Sequence, residues 1–144
     1  MYRHILIPTD GSEPAEHGVA HGLALAKSLG AKVSVIFVVE PLSEMRRGPP
    51  FLGALAQYAE LRKEQATSVL HRAADAAKEA GVSCKTIQVE NGQPHQAIIA
   101  AAEERGCDLI VMSSHGRSGL AMLLIGSVTN KVLTHAKTPV LVCP

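Results

Sequence analysis

Five short apolar runs recur along this chain, and between them lie longer stretches whose apolar residues return every three or four positions. The runs are His4-Ile5-Leu6-Ile7-Pro8, Lys32 to Val39, Ser83 to Val89, Asp108 to Met112, and Val140-Leu141-Val142. Runs this short and this rich in Val and Ile read as strands buried on both faces. The third alternates more between polar and apolar residues, which predicts a sheet edge. The order β-α-β-α-β-α-β-α-β demands right-handed crossovers. It predicts an α/β fold, an open doubly wound five-stranded parallel sheet with helices on both faces. At 144 residues the chain fits one domain over positions 1–144.

The helical stretches carry their own punctuation. Ser12 offers an N-cap, and Glu13, Pro14 and Glu16 suit a first turn. Ala15, Val19, Gly22, Leu23, Ala26 and Leu29 then form an inward stripe, and Gly30 supplies a stop. Phe51 to Ala80 reads as a helix whose stripe is Ala66, Val69, Leu70, Ala73, Ala77 and Ala80. Pro94 to Arg105 turns Ala97, Ile98, Ala101 and Ala102 inward, and Gly126 to Ala136 is the last helix. Pro41 to Pro50, with three prolines and a glycine, reads as a flap-like loop.

Open parallel sheets bind ligands beyond the carboxyl ends of their strands, where the strand order reverses. Three loops therefore matter: Thr9-Asp10-Gly11-Ser12, the chain from Glu40 onward, and Ser113 to Ile125. The last reads Ser113-Ser114-His115-Gly116-Arg117-Ser118-Gly119 and ends at Gly126-Ser127, where a helix begins. Glycines let backbone N–H groups approach phosphate oxygens. A helix N-terminus adds unbonded N–H donors and about half a positive charge, and Ser127 and Thr129 bring hydroxyls. The P-loop ending GK[ST] is missing, and no GxGxxG follows the first strand.

Charge placement agrees. All 13 carboxylates lie between Asp10 and Asp108, and the last 36 residues hold none while carrying Arg117, Lys131 and Lys137. Nothing there opposes an anion. The net charge of +1 lacks the concentrated basic face of a nucleic-acid coat. Aromatics are 3%, with no Trp, so a site built on base stacking is disfavoured. Cys84, Cys107 and Cys143 form no CxxC and suit reduced thiols. The polar start and the lack of an apolar run of roughly 20 residues predict a cytoplasmic protein with no membrane span.

IPTDGS near the start, SSHGRSG followed by GS, and the closing TPVLVCP resemble the universal stress protein family over essentially the whole chain. Its nucleotide-binding members carry G-x-x-G, nine residues, then G-[S/T]. Here Ser113 stands at the first glycine, Gly116 at the second, Gly126 at the third and Ser127 at the hydroxyl, with the nine residues Arg117 to Ile125 between. Serine lacks some of glycine's backbone range, so this departure bears on phosphate binding more than on fold. The resemblance implies an adenine nucleotide alpha hydrolase-like fold and ATP, or another adenine nucleotide, as ligand, with Mg. Pro8 and Thr9 would lead into the site. Asp10 would meet the ribose or a nucleotide-bound Mg, and Val38 the adenine. Met112 would cover base or sugar. His115, Gly116, Gly126, Ser127 and Val128 would line the phosphate channel, mostly with backbone groups, and Ser113, Ser114 and Thr129 would belong to the same nucleotide site. Arg117 and Gly119 would close over it. A homodimer through Val140, Leu141 and Val142 is also implied.

These readings favour a nucleotide-dependent stress-response regulator or sensor over an enzyme. Alternatives are a nucleotide-free dimeric adaptor, a weak ATPase, and an AMP or cyclic AMP binder. The HxGH signature of adenylyl-transferring relatives is missing, for HGVAHG lies inside the first helix. His17 and His21, at i and i+4, fall short of the usual three or four metal ligands. His4, His71, His95 and His135 are scattered.

Overall fold

A computed structural model describes residues 1–41, 52–115 and 125–144. The strands are β1 (His4–Pro8), β2 (Lys32–Val39), β3 (Cys84–Glu90), β4 (Leu109–Ser113) and β5 (Val140–Cys143). The helices are α1 (Glu13–Leu29), α2 (Leu52–Ala80), α3 (Pro94–Arg105) and α4 (Ser127–His135). All strand pairs are parallel, in the order β3-β2-β1-β4-β5. The alternating third run is an edge strand, as its pattern predicts, and β5 is the other edge.

The β1–β2 register sets Ile5 beside Val33 and Ile7 beside Val35, and β4 sets Ile110 beside Val140 of β5. Successive strand residues point to opposite faces, so the sheet feeds two cores. Ile5, Ile7, Val33, Val35, Phe37 and Val111 pack with α1 and α2, while Leu6, Ile36, Ile110 and Met112 pack with α3 and α4. The α1 stripe is buried from Ala15 to Ala26. Leu29 departs from it at 40% exposed, because it is the last residue of the helix and lies beyond the sheet-facing turns.

Gly18 and Gly22 stand one turn apart on α1. A Cβ at Gly22 would fall 2.4 Å from Ile7 Cδ1, and one at Gly18 would fall 3.2 Å from the Ser113 amide nitrogen. The HGVAHG segment is thus a packing device that lets α1 lie close on β1 and β4, with His17 and His21 facing solvent.

At the opposite end of the sheet, Asp108 ties the start of β1 to β4. Its Oδ2 accepts from the Arg3 amide at 2.9 Å and its Oδ1 from the His4 amide at 3.0 Å. Burial pushes this carboxyl up, but the backbone hydrogen bonds together outweigh it and hold it below the usual carboxylate range. The His4 ring is buried against Ser34, Nε2 to Oγ 2.8 Å. Burial, with Lys32 adding to it, lowers the pKa of this imidazole.

Candidate functional site

Strand order reverses between β1 and β4, since the chain moves outward from β1 to β2 and β3 and then returns to the other side of β1. A cleft of about 420 Å³ opens there, within the usual range for small-molecule sites. Its floor is the end of three strands: Pro8 and Thr9 after β1, Ile36 and Val38 of β2, Met112 and Ser113 of β4. One wall is built by Asp10, Ala15, Tyr58 and Arg62. The other is built by Pro94 and Ile98 of α3 and by Gly126, Ser127, Val128 and Thr129 around the start of α4.

The turn after β1 is closed by its own hydrogen bonds. Thr9 N donates to Ile36 O at 2.9 Å, and Thr9 Oγ1 accepts from Gly11 N at 3.2 Å. Asp10 Oδ1 accepts from the Ser12 amide at 3.0 Å and from the Ser12 hydroxyl. Ser12 Oγ in turn accepts from Ala15 N and caps α1. Gly11 sits at φ +80°, and a Cβ there would meet Val69 Cγ2 at 2.9 Å, so conformation and space both call for glycine. The turn presents Asp10 to the cleft. Beside it, Arg62 lies over the Phe37 ring, 5.2 Å from its centroid, and Nη1 donates to Gln65 Oε1 at 2.7 Å.

The connection after β4 is built differently. Ser113 Oγ donates to the His115 carbonyl at 2.5 Å, and the Ser113 carbonyl accepts the Thr129 hydroxyl at 2.9 Å. No non-glycine residue has positive φ among the described residues, so the position of the motif's first glycine makes no demand here that serine cannot meet. The serine instead braces the turn. Thr129 is buried, and its hydroxyl donates to the Ser113 carbonyl.

Ser114 is not among the described residues that line the cleft. Its amide donates to Cys143 O and its carbonyl accepts from Gly126 N, both at 2.7 Å, so it joins β4 to β5 and to the start of α4. His115 does line the cleft. Its Nδ1 lies 3.0 Å from Ser114 Oγ, and its Nε2 is shielded from solvent with no hydrogen-bond partner among the described residues.

Gly126 is the N-cap of α4, with φ −57° and ψ 153°, and among the described residues no side chain caps this helix. The first bond of its ladder runs from Asn130 N to Gly126 O at 2.9 Å. The amides of Ser127, Val128 and Thr129 precede that bond and carry the positive end of the helix dipole. No acidic residue lies in the first turn. The amide of Gly126 itself is engaged by Ser114, so the donors begin at Ser127.

Pro8, Thr9, Asp10, Val38, Met112, Ser113, His115, Gly126, Ser127, Val128 and Thr129 are therefore brought to one cleft. Gly116, Arg117 and Gly119, and the loop from Pro41 to Pro50 apart from Pro41, lie outside the described residues. Glu40, Tyr58, Arg62, Pro94 and Ile98 join the lining without having been singled out as ligand contacts. A signal for Pro94 and Ile98 exists: a helix that follows a parallel strand starts at the ligand end of the sheet. Tyr58 and Arg62 stand four apart, off the buried stripe of α2. Among the described residues no group of three or more His, Cys, Asp or Glu could hold a metal ion. The residues present do fit a nucleotide: apolar floor, one carboxylate-bearing turn, and an uncapped helix start facing it. Burial raises all three thiols, Cys107 to about 11 with Asp108 contributing, so they remain protonated and poorly nucleophilic near neutral pH.

Fold and cleft together define an α/β protein with the start of a helix opening on a cleft at the switch point of a parallel sheet. The Universal stress protein family model matches residues 1–144. The universal stress protein MJ0531 of Methanocaldococcus jannaschii is 37% identical over 142 residues, covering 99% of this chain and 82% of the relative. The solved structure of MJ0577 is 31% identical with a TM-score of 0.77, covering 99% of this chain and 95% of that one. A universal stress protein solved in complex with cAMP is 29% identical with a TM-score of 0.74, covering 99% and 97%. This chain belongs to the universal stress protein family, and its architecture is the Rossmann-like, adenine nucleotide alpha hydrolase-like fold.

Proposed function

We propose that the cleft binds an adenine nucleotide, ATP or a close relative, and that occupancy rather than turnover is the protein's output, as a regulator or sensor in a cytoplasmic stress response. The observation that carries this reading is the uncapped start of α4 facing the Asp10 turn across an apolar floor. Val38 and Met112 would sandwich the base and Asp10 would accept from the ribose hydroxyls. The amides from Ser127 to Thr129 would meet the phosphates, since N–H groups that precede the helix ladder and the helix dipole both favour an anion there. Magnesium, when bound with the nucleotide, supplies neutralising charge at the phosphates, and Asp10 is the carboxylate on the facing wall. The segment Gly116 to Gly119 belongs to the same motif by sequence.

The same reading makes the protein one domain and a homodimer. The supporting feature is the edge strand β5, where Leu141 is 38% exposed and Leu133 of α4 is 41% exposed, an apolar surface of the kind that seeks a partner.

Calorimetry with ATP, AMP and cyclic AMP, each with and without magnesium, tests the function. The expected result is saturable ATP binding with no phosphate release. Preference for cyclic AMP would favour the second reading, suggested by the relative solved with cAMP. Sustained phosphate release would point to an ATPase, and silence with every nucleotide to a nucleotide-free adaptor.

A further inference from the structure

One wall of the cleft is built in part by α2, an element outside the three loops that the sequence points to. Tyr58 and Arg62 stand at i and i+4 on one face of α2, and both line the cleft. Arg62 is held in place. Its guanidinium lies 5.2 Å from the centroid of the Phe37 ring, and its Nη1 donates to Gln65 Oε1 at 2.7 Å. Phe37 is fully buried on β2 and directly precedes Val38. The contact therefore sets the cleft-facing turns of α2 over the end of β2, where Val38 and, from β4, Met112 contribute to an apolar floor. Tyr58 lies one turn nearer the start of the helix. Its neighbour Ala59 is buried, yet Tyr58 is 49% exposed. A large aromatic side chain is thus left partly uncovered at the wall of a pocket with an apolar floor.

We propose that Tyr58 is a specificity-determining residue: its ring packs against the base of a bound nucleotide from the α2 wall and selects purine over pyrimidine nucleotides. The proposal rests on the nucleotide reading of the cleft and concerns the base end of the ligand. A phenol ring and a nucleobase are both flat, and their contact covers apolar surface on each without demanding a particular hydrogen-bond pattern. Offset-stacked and edge-to-face arrangements both serve. A two-ring purine offers more of that surface than a one-ring pyrimidine, and the gain scales with the area covered. Tyrosine turns about only two side-chain torsions, so little freedom is lost when the base settles against it. The selectivity is therefore for ring size, and adenine and guanine nucleotides draw on Tyr58 alike.

The test compares wild type, Tyr58→Ala and Tyr58→Phe in titrations with ATP, UTP and ribose triphosphate, which has no base. Alanine is the best helix former, so Tyr58→Ala should unfold in urea as cooperatively as wild type. Removing an aromatic partner of a base costs about fivefold to a hundredfold in affinity. Tyr58→Ala should lose that much for ATP, less for UTP and nothing for ribose triphosphate. Tyr58→Phe keeps the ring and should bind ATP as wild type does. In the wild-type complex, nuclear Overhauser contacts should join the Tyr58 ring to the adenine protons. The other tyrosine, Tyr2, is not among the described residues that line the cleft and serves as the internal control. Unaltered ATP affinity in Tyr58→Ala, an equal loss for ribose triphosphate, or an ATP complex without those contacts overturns the proposal. Failure of the wild type to bind ATP removes the nucleotide reading and the proposal with it, a result separable from ATP binding with an indifferent Tyr58.

Discussion

Two strand-to-helix junctions open on the same cleft, and they are built to opposite specifications. The junction from β1 to α1 satisfies itself. Ser12 caps the helix, proline stands in its first turn, and Glu13 and Glu16 complement the dipole. The start of α4 has a glycine N-cap, no side-chain cap and no acidic residue in its first turn. The start of α3 also lacks a side-chain cap, but Pro94 removes one of its amides. Stabilising features are thus gathered where a helix only has to fold and withheld where amides face the cleft. The comparison teaches that an under-finished helix end beside a pocket is information about ligand charge, because the omitted cap would compete with the ligand for the same donors.

The largest expected effect comes from Gly126→Val. It sets a branched side chain at the mouth of α4, between the floor and the helix amides. ATP affinity should fall by a hundredfold or more, on the order of losing two charge-assisted hydrogen bonds. Urea unfolding should still show a cooperative fold, since φ −57° and ψ 153° are open to any residue. Unchanged ATP affinity would break the comparison.

Ser127→Asp sharpens it further by moving the α1 design onto α4. A carboxylate in the first turn should stabilise the helix by about 0.3–1 kcal/mol. The same charge should weaken ATP binding by about tenfold through repulsion in the cleft. A melting curve and a titration on one sample must move in opposite directions. If both improve, the α4 start is an ordinary helix end.

Ser12→Ala makes the converse change. It removes the α1 cap at a cost of about 1 kcal/mol, read from urea unfolding, and this should exceed the stability change at any exposed position of α4.

The smallest effect is acid sensitivity. Burial lowers the His4 pKa below 6.5, so the unfolded chain takes up a proton before the folded one does. Stability is therefore complete above pH 6.5 and declines as pH falls from there toward the folded-state pKa. Asp108, held below 3.8, adds stability that is complete above that value and is lost as pH falls through its folded-state pKa. His4→Gln should flatten the first step of a stability profile and leave the second in place.

Much of this was legible in the sequence, for reasons that also mark where legibility stops. Strand and helix order follows from periodicity, and the α3 bounds, Pro94–Arg105, agree with their proline and glycine signals. Leu29 reads as core by spacing alone, but its exposure depends on where the sheet ends, which spacing does not encode. HGVAHG reads as a pair of histidines and is a pair of packing glycines, because close approach of α1 to Ile7 and Ser113 is a tertiary fact. His95 and His135, forty positions apart, have ring centroids 5.8 Å apart. The Asp10 turn was readable because its hydrogen bonds are local. The partners of Thr129 and Ser114, which are Ser113 and Cys143, were not legible, because they become neighbours only when β4, β5 and α4 assemble.

The central claim is that amides at the start of α4, and not those at the start of α1, receive the negative end of a ligand. Backbone amide resonances of Ser127, Val128 and Thr129 followed during an ATP titration test it most directly, with Glu13, Ala15 and Glu16 as the internal reference. The account predicts large saturable shifts for the first group, much smaller ones for the second, and little response at the first group to adenosine. Saturable ATP binding that leaves Ser127 to Thr129 unmoved would contradict it.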